Sequence, residues 1–339
     1  MSAASTNGAP YFVSNETAQS LLTAADAIRA IQEAYSGPVT SKNAPRRTIV
    51  DGDGATFRVL PAAPPGARYL GAKIMGATTH TGGFIGMGYL IVLFDRDESV
   101  IAGFVDGKFI TGCRTAATSA AALDRLATPG PIQLGVLGSG FEASMHVRAF
   151  AAVRELSAVT VFSPTPERRA AFATSMTEEL GVPCLAAESA EAAGKSFRDS
   201  CDVVLCAARS RGEKPILFGD DLGTEVTVVS IGSTVPHQRE IDASVVERCE
   251  LIVCDDLGEV VDETGDMIAA AEAGVSLDGK CVSLHALMSG DADDRRDCAA
   301  VRMFKSVGSG VQDIVIAGLV LDRAIEAGQA MALPVAFAT

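Results

Sequence analysis

Between residues 131 and 254, short segments that are almost continuously apolar alternate with longer segments of helical periodicity. Strands that are apolar on both faces are typical of a parallel sheet, because βαβ crossovers place helices on both sides of it. Six strands are predicted, at 132–137, 158–162, 182–187, 202–207, 225–231 and 251–254. This part of the chain is therefore predicted to form a doubly wound, parallel α/β sheet of the Rossmann type.

A glycine-rich turn joins the first of these strands to the helix that follows. All six of its residues are predicted to bind a dinucleotide: Gly138, Ser139, Gly140, Phe141, Glu142 and Ala143. A GxGxxA pattern alone is weak, but a place between a strand and a helix is the context that such a site requires. Gly138 makes the tight turn, Gly140 admits the pyrophosphate to the backbone and helix N-terminus, and Ala143 allows close helix packing. A glycine turn without a ligand is the alternative.

The end of the second strand indicates which dinucleotide binds. NAD sites usually carry an acidic residue there, which accepts a hydrogen bond from the ribose 2′-hydroxyl. This chain instead has the hydroxyls of Ser163 and Thr165 followed by Arg168, which suit a 2′-phosphate. NADP(H) is therefore favoured. NAD(H) is the alternative, because Glu167 lies close by and Arg168 also fits a solvated helix surface.

Residues at the ends of two later strands complete the set that we expect to bind the dinucleotide. They are Ala207, which ends the fourth strand, and Ser230 and Ile231, which end the fifth.

Residues 46–111 have a different pattern, with short β-rich segments separated by Gly, Pro and Asp. Strands are predicted at 48–50, 57–60, 69–75, 89–94, 100–105 and 109–111. Asp106-Gly107 lies between the last two, and this dipeptide is typical of a β-hairpin turn. A helix of small residues follows at 114–127. The later part of the chain is predicted to contain an irregular acidic stretch at 291–297 and a long helix at 310–327.

Three cations in the first half of the chain are candidate site residues because of their settings. Arg47 precedes a strand, Lys73 lies inside one, and Arg114 begins the helix of small residues. Charges in apolar surroundings cost free energy unless they are paired. The arginine side chain presents a fork that matches a carboxylate. Each cation is therefore either part of a structural ion pair or part of a site for a small carboxylate.

The charge balance narrows the classes of partner. Asp and Glu outnumber Lys and Arg by 42 to 28 in 339 residues, for a formal charge of −14. Nucleic acid and anionic membranes both require clustered cations, so neither is an expected partner.

The eight cysteines form no CxxC pair and only four histidines are present, so no metal site is expected. Cysteines in apolar strands, and a polar N-terminus unlike a signal peptide, are typical of a cytoplasmic protein.

Three longer segments carry a family resemblance: DGKFITGCRTAATSAAAL at 106–123, GVLGSGFEASMH at 135–146 and FKSVGSGVQDIVIA at 304–317. In order and spacing they resemble the ornithine cyclodeaminase/mu-crystallin family over nearly the whole chain. The resemblance implies a mixed α+β domain for substrate binding and dimerisation, formed by 1–126 and 311–339. It also implies that a Rossmann domain at 127–310 is inserted into this domain and that the protein is a homodimer. Members use a nicotinamide cofactor on small amino acids or their imines.

The resemblance also implies roles for individual residues. Arg47 and Arg114 bind the substrate carboxylate, and Lys73 lies beside the reacting carbon as proton donor or acceptor. Such a lysine requires a lowered pKa, which neighbouring arginines and an apolar strand would both produce. Thr115 lies near the cofactor, and Ser306 lies near its nicotinamide.

One departure from the family pattern concerns the reaction. Cyclodeaminases carry an aspartate in a Gly-x-Asp-x-Pro-Gly-Lys-x-Glu-Leu stretch after the fifth strand. Here Pro236 and Glu240 keep that register, so the position of the aspartate falls on Thr234. A threonine cannot act as a carboxylate base.

We therefore predict an NAD(P)H-dependent reductase of a small α-imino acid, which in reverse is an amino-acid dehydrogenase. Lys73, or a water held by Thr234, supplies the proton. A cyclodeaminase-type lyase with tightly bound NAD is one alternative. A non-catalytic binding protein for NADPH or a small ligand, of the mu-crystallin type, is another.

Overall fold

The computed structural model describes residues 9–80, 83–210, 212–335 and 337. The chain divides into two units. The first comprises Met1–Arg114 and Ser309–Thr339, and the second comprises Thr115–Gly308. The chain thus leaves the first unit once and returns to it, and the first boundary falls inside a helix, Gly107–Leu126.

The bounds of the elements are as follows. The strands are β1 (Tyr11–Val13), β2 (Thr48–Gly52), β3 (Ala55–Ala62), β4 (Tyr69–His80), β5 (Gly83–Asp95), β6 (Ile101–Asp106), β7 (Ile132–Leu137), β8 (Leu156–Phe162), β9 (Cys184–Ala186), β10 (Val203–Cys206), β11 (Val226–Ser230), β12 (Leu251–Cys254), β13 (Cys281–Ser283), β14 (Val301–Lys305) and β15 (Met331–Ala332). The helices are α1 (Asn15–Leu21), α2 (Ala24–Ser36), α3 (Gly107–Leu126), α4 (Phe141–Ala151), α5 (Pro166–Leu180), α6 (Ala190–Ser200), α7 (Ala243–Arg248), α8 (Leu257–Glu263), α9 (Gly265–Glu272), α10 (Leu284–Ser289), α11 (Asp293–Cys298) and α12 (Gly310–Glu326). Among the described residues, no helix has both the length and the apolar character needed to cross a membrane.

The second unit is built on an eight-stranded sheet in the order β13-β12-β14-β11-β10-β7-β8-β9. Every pairing in it is parallel. Every residue of β10, β11, β12 and β14 is buried, which confirms the predicted parallel sheet with both faces covered. Apart from β14, which lies between β11 and β12, the chain order runs outward in both directions from the pair β7 and β10. A crevice for a ligand is expected at the carboxyl ends of strands where the order reverses in this way.

The first unit has a seven-stranded mixed sheet in the order β15-β1-β6-β5-β4-β3-β2. Strands β2 to β6 pair antiparallel in sequence, whereas β1 pairs parallel with β6. Helix α12 packs against β3, β4 and β5 and is buried over most of its surface. Most residues of this helix are apolar because it lies in the core of the first unit.

Asp106-Gly107 does not form the predicted hairpin. Gly107 begins α3, and residues 109–111 are the first part of this helix instead of a strand. The Asp106 carboxylate accepts a hydrogen bond from the Lys108 amide at 2.9 Å, as a residue at a helix N-terminus does. The Phe109 amide donates to Asn15 Oδ1 at 3.0 Å, which satisfies a further donor of the first turn.

The prediction of an irregular stretch at 291–297 is also wrong. Residues Asp293–Cys298 form α11, and Val301–Lys305 form β14 between β11 and β12 in the middle of the sheet. The sequence pattern does not predict strand β14, because two of its five residues, Arg302 and Lys305, are charged. Both are buried with partners: Arg302 donates to the Leu126 carbonyl at 3.3 Å, and Lys305 pairs with Asp266.

Candidate active site

Four buried polar residues of the first unit form what we call the Lys73 cluster: Lys73, Arg114, Gln312 and Asp313. Lys73 Nζ donates to Asp313 Oδ1 at 2.8 Å, and Arg114 Nε donates to the same oxygen at 3.0 Å. Arg114 Nη1 also donates to Gln312 Oε1 at 2.8 Å. The structure thus brings two of the predicted cations to one carboxylate.

Local structure explains how these side chains meet. Lys73 lies in the middle of β4, opposite Leu60 of β3 and Ile91 of β5, so its backbone is fixed on both sides. Ser309 caps α12 by accepting a hydrogen bond from the Val311 amide at 3.2 Å. Asp313 therefore falls in the first turn of α12, where the helix dipole favours a negative charge.

The cluster contains two cations and one carboxylate, and this balance changes the chemistry of its lysine. Burial and the Arg114 charge lower the pKa of Lys73 to about 8, although Asp313 opposes the shift. Repulsion from Arg47, which precedes β2 and is half-buried, lowers this pKa further. A lysine that acts as proton donor or acceptor requires a shift in this direction. One carboxylate faces at least two cations, so the cluster favours binding of an anion.

Asp313 has one oxygen whose hydrogen-bonding capacity is not used. Oδ1 accepts from both cations, whereas Oδ2 is buried and has no hydrogen-bond partner within the part of the chain that the structure describes. A buried acceptor left unsatisfied costs about 1–3 kcal/mol. An N–H donor of a bound ligand would relieve that cost.

The glycine turn of the second unit has the features of a dinucleotide site. Gly138 has φ of +117°, and a Cβ there would lie 2.8 Å from the Ala207 carbonyl oxygen, so only glycine fits. A Cβ on Gly140 would meet nothing within 4 Å, which leaves the space that a pyrophosphate needs. Gly140 is also the N-cap of α4 and provides no side-chain cap, so the first amides of α4 face this space. Ala143 is fully buried, as close packing requires.

The turn is linked to the end of β8 by two of the predicted cofactor residues. Ser139 Oγ and Ser163 Oγ lie 2.8 Å apart. Arg169 donates to the carbonyls of Ser163 at 3.0 Å and Glu188 at 2.8 Å, so this arginine supports the backbone. Arg168 is exposed and lines a cavity of about 420 Å³ between α4 and α5, which Ser139 and Ser144 also line. The residues present therefore fit a phosphate-bearing ligand.

The remaining predicted residues lie inside α3, at the start of α4, or directly after β10 and β11. Thr115 is half-buried in α3, Phe141 is 55% exposed, and Glu142 Oε2 lies 3.9 Å from His146 Nδ1. Ala207 and Ile231 directly follow β10 and β11.

Three predicted hydroxyls have protein partners. Ser230 Oγ donates to Glu240, and Ser306 Oγ donates to Asp255 Oδ2, each at 2.7 Å. Thr234 Oγ1 donates to Gln238 Oε1 at 3.0 Å. The Thr234 hydroxyl is thus already engaged as a donor.

Gln312 and Asp313 were not predicted as site residues from the sequence, although both lie in the family segment at 304–317. The available signal was their setting, because they are the only polar residues at 310–321. Adjacent polar residues at the start of a buried helix require partners, and cations elsewhere are the natural candidates. Over the described residues, no group of three or more His, Cys, Asp and Glu side chains is placed to hold a metal ion.

The parallel sheet with a glycine turn at its switch point, carried in one chain with a mixed-sheet unit, defines a two-unit α/β protein of the Rossmann class. The chain belongs to the ornithine cyclodeaminase/mu-crystallin family, whose model matches residues 11–328. The family resemblance predicted from the sequence is therefore confirmed.

Two relatives and one solved structure illustrate the similarity. A Delta(1)-pyrroline-2-carboxylate reductase of Bacillus cereus is 26% identical over 279 residues, which cover 80% of this chain and 83% of that protein. An iminosuccinate reductase of Paracoccus denitrificans is 29% identical over 240 residues, which cover 71% and 72%. The structure of Thermococcus litoralis Delta(1)-pyrroline-2-carboxylate reductase in complex with NADH and L-proline shares the fold. Its TM-score is 0.85 at 24% identity, over 95% of this chain and all of that one.

Proposed function

We propose that this chain is an NAD(P)H-dependent reductase of a small α-imino acid, and in reverse an amino-acid dehydrogenase. The observation that carries the proposal is the Lys73 cluster, in which a buried lysine with a pKa of about 8 lies beside an arginine held in place by protein partners. Two relatives that are named as reductases of imino acids support it.

The substrate carboxylate binds to Arg114 and Arg47. Arg114 is well suited because Asp313 and Gln312 hold two of its nitrogens, so its guanidinium plane is set before the substrate arrives. A fixed carboxylate orients the imine carbon and nitrogen, and such orientation is a large part of catalysis. The unpartnered Asp313 Oδ2 accepts a hydrogen bond from the substrate nitrogen.

Lys73 donates the proton that the substrate nitrogen gains. A general acid is most effective when its pKa is close to the working pH, and burial beside Arg114 brings Lys73 into this range. In the direction of amino-acid oxidation, neutral Lys73 accepts the proton. Thr234 is the less favoured route, because its hydroxyl donates to Gln238 and could act only by holding a water.

The dinucleotide is held by the glycine turn and by the ends of β8, β10 and β11. A bound nicotinamide supplies the hydride that reduces the imine carbon. Gly138, Ser139, Gly140 and the first amides of α4 hold the pyrophosphate. Phe141, Glu142, Ala207, Ser230, Ile231, Thr115 and Ser306 complete the site.

NADP(H) is the preferred form of the cofactor. Ser163 follows β8 at the position where NAD sites usually place a carboxylate. The exposed Arg168 at the cavity beside it supplies charge for a 2′-phosphate, together with Thr165 at the start of α5.

The first unit serves substrate binding and dimerisation, and the second binds the dinucleotide. The assembly is a homodimer, which light scattering of the purified protein can check. A cytoplasmic location is supported by the cysteines, since all eight are free thiols and six of them are buried.

The experiment is a screen of NADPH and NADH oxidation against cyclic imino acids, and against 2-oxo acids with ammonia or methylamine. Oxidation with at least one substrate is expected. Arg114→Ala should raise KM for the imino acid strongly, and unchanged activity would contradict the carboxylate site. Ammonia release from ornithine without cofactor turnover would favour the lyase instead. Tight NADPH binding without any turnover would favour the binding protein.

A further inference from the structure

Four buried residues of the second unit form a separate ionic group, which we call the Glu240 network: Ser230, Glu240, Asp266 and Lys305. None of the four is solvent-exposed. The sequence marks two of them within family motifs, since Glu240 keeps the register of the stretch around Thr234 and Lys305 lies in the segment at 304–317. The proposed reaction uses neither side chain.

The Glu240 carboxylate holds the backbone at the ends of two neighbouring strands. Oε1 accepts from the Ala208 amide at 3.1 Å, and Ala208 lies just beyond β10. Oε2 accepts from the Gly232 amide at 2.9 Å and from Ser230 Oγ at 2.7 Å, at the end of β11. These are the segments that carry Ala207 and Ile231, and the Ala207 carbonyl is the group that restricts Gly138.

The other charges of the network keep this carboxylate in place. Lys305 Nζ, at the end of β14, donates to Ser230 Oγ at 2.8 Å and to Asp266 Oδ2 at 2.9 Å. Asp266 Oδ1 accepts from the Glu240 amide at 2.8 Å. A Cβ on Gly232 would lie 2.3 Å from Glu240 Oε1, so the carboxylate can approach this backbone only because residue 232 is glycine.

We propose that Glu240 is a positioning residue for dinucleotide binding, whose ionised carboxylate holds the segments after β10 and β11 in their binding geometry. Protonation of this carboxylate weakens binding, because three donors point at its oxygens and a protonated carboxyl group turns one of these oxygens into a donor. The inference rests on the proposed dinucleotide site.

The charges around Glu240 allow this change near neutral pH. Burial raises the pKa of Glu240 to about 7, with Lys305 lowering it and Asp266 raising it. Arg239 lies next to it in the chain, with Nε 3.5 Å from Asp266 Oδ1. Cys206 of β10 also faces the network, and burial together with Glu240 holds the pKa of its thiol well above the usual value.

The experiment measures the Kd of NADP⁺ and of NAD⁺ by calorimetry from about pH 6 to pH 8.5. Suppose that only protein with an ionised Glu240 binds the nucleotide. At one pH unit below the pKa of Glu240, about one molecule in eleven is then able to bind. The Kd at pH 6 should then be about tenfold higher than at pH 8.5. The glutamine of Glu240→Gln cannot ionise, so this variant should bind weakly, and its Kd should change with pH only as far as the nucleotide's own phosphate titrates. The titration of the nucleotide's own phosphate is common to both proteins and cancels in the comparison.

Two further variants make the result specific. Glu179→Gln removes a surface carboxylate of the same unit, paired with Arg148, and should keep the wild-type pH dependence. Ser230→Ala removes a hydrogen bond that lowers the pKa of Glu240, so the midpoint of the Kd curve should move to higher pH. This second variant provides the test if Glu240→Gln does not fold.

The outcomes separate this inference from the proposed function. A wild-type Kd that is independent of pH, or a midpoint that Ser230→Ala leaves unchanged, would overturn the role of Glu240 alone. Failure to bind either nucleotide at any pH would instead contradict the proposed dinucleotide site.

Discussion

Asp313→Asn should show whether the Asp313 carboxylate controls the protonation of Lys73. In the wild-type protein, imine reduction requires protonated Lys73, so kcat/KM should be level below about pH 8 and fall about tenfold per pH unit above it. Amino-acid oxidation requires the neutral amine and should show the opposite limb, rising to a plateau above about pH 8. The substitution removes the negative charge 2.8 Å from Lys73 Nζ, and this charge is what favours the ammonium form.

The size of the effect follows from that contact. An opposite charge at close range changes a pKa by about one to three pH units, so the falling limb for reduction should move down by that amount. At pH 7 the protonated fraction of Lys73 is then expected to drop about twofold to 100-fold. The neutral fraction rises about five- to tenfold at the same pH. A general distortion of the site would lower both reaction directions together and leave the midpoint of each pH profile where it was.

The assay records kcat/KM in both directions across the pH range, with the amino acid found by the substrate screen. Asp322→Asn is the matched control. Asp322 lies on the same helix and accepts from Tyr69 Oη at 2.6 Å, outside the Lys73 cluster. Its pH profile should match the wild type. If Asp313→Asn keeps the wild-type midpoint, Asp313 does not control Lys73 and the assignment of the proton donor fails.

Two further substitutions test the cofactor preference and the folding of the first unit. Arg168→Ala should raise the KM for NADPH about three- to tenfold and should leave the KM for NADH unchanged. The effect is modest because solvent partly screens an exposed charge pair between an arginine and a phosphate. An equal effect on both nucleotides would contradict a 2′-phosphate contact. Thr23→Ala removes the hydroxyl that accepts from the Asp26 amide at 3.2 Å at the start of α2. The free energy of unfolding, measured in urea, should fall by about 1 kcal/mol with KM values unchanged. An unaltered unfolding curve would show that this cap contributes nothing.

The parallel sheet and its glycine turn are visible in the sequence for a local reason. Strands buried on both faces must be apolar at consecutive positions, and this composition appears in any short window. Gly138 is equally visible, because the positive φ and the nearby Ala207 carbonyl admit no other residue. Patterns that one element imposes on its own residues can be read from those residues alone.

Strand β14 and the start of α3 show where local patterns fail. Strand β14 carries Arg302 and Lys305, and it is a central strand only because partners distant in sequence accept these charges. Asp106-Gly107 suits a hairpin as well as a helix start. The Asn15 side chain, 94 residues away, satisfies the amide of Phe109 in the helix that forms.

The predicted cations show the same division within the site. The sequence by itself determined that Lys73 and Arg114 stand in apolar surroundings and need partners, because burying a charge is costly wherever the chain goes. The sequence could not show that a single carboxylate pairs with both of these cations. Asp313 is 240 residues from Lys73 and 199 from Arg114, and only the return of α12 to the first unit brings them within 3.0 Å. Tertiary packing decided the pKa of Lys73, since that value depends on the charges that surround the side chain in space and not on its neighbours in the chain.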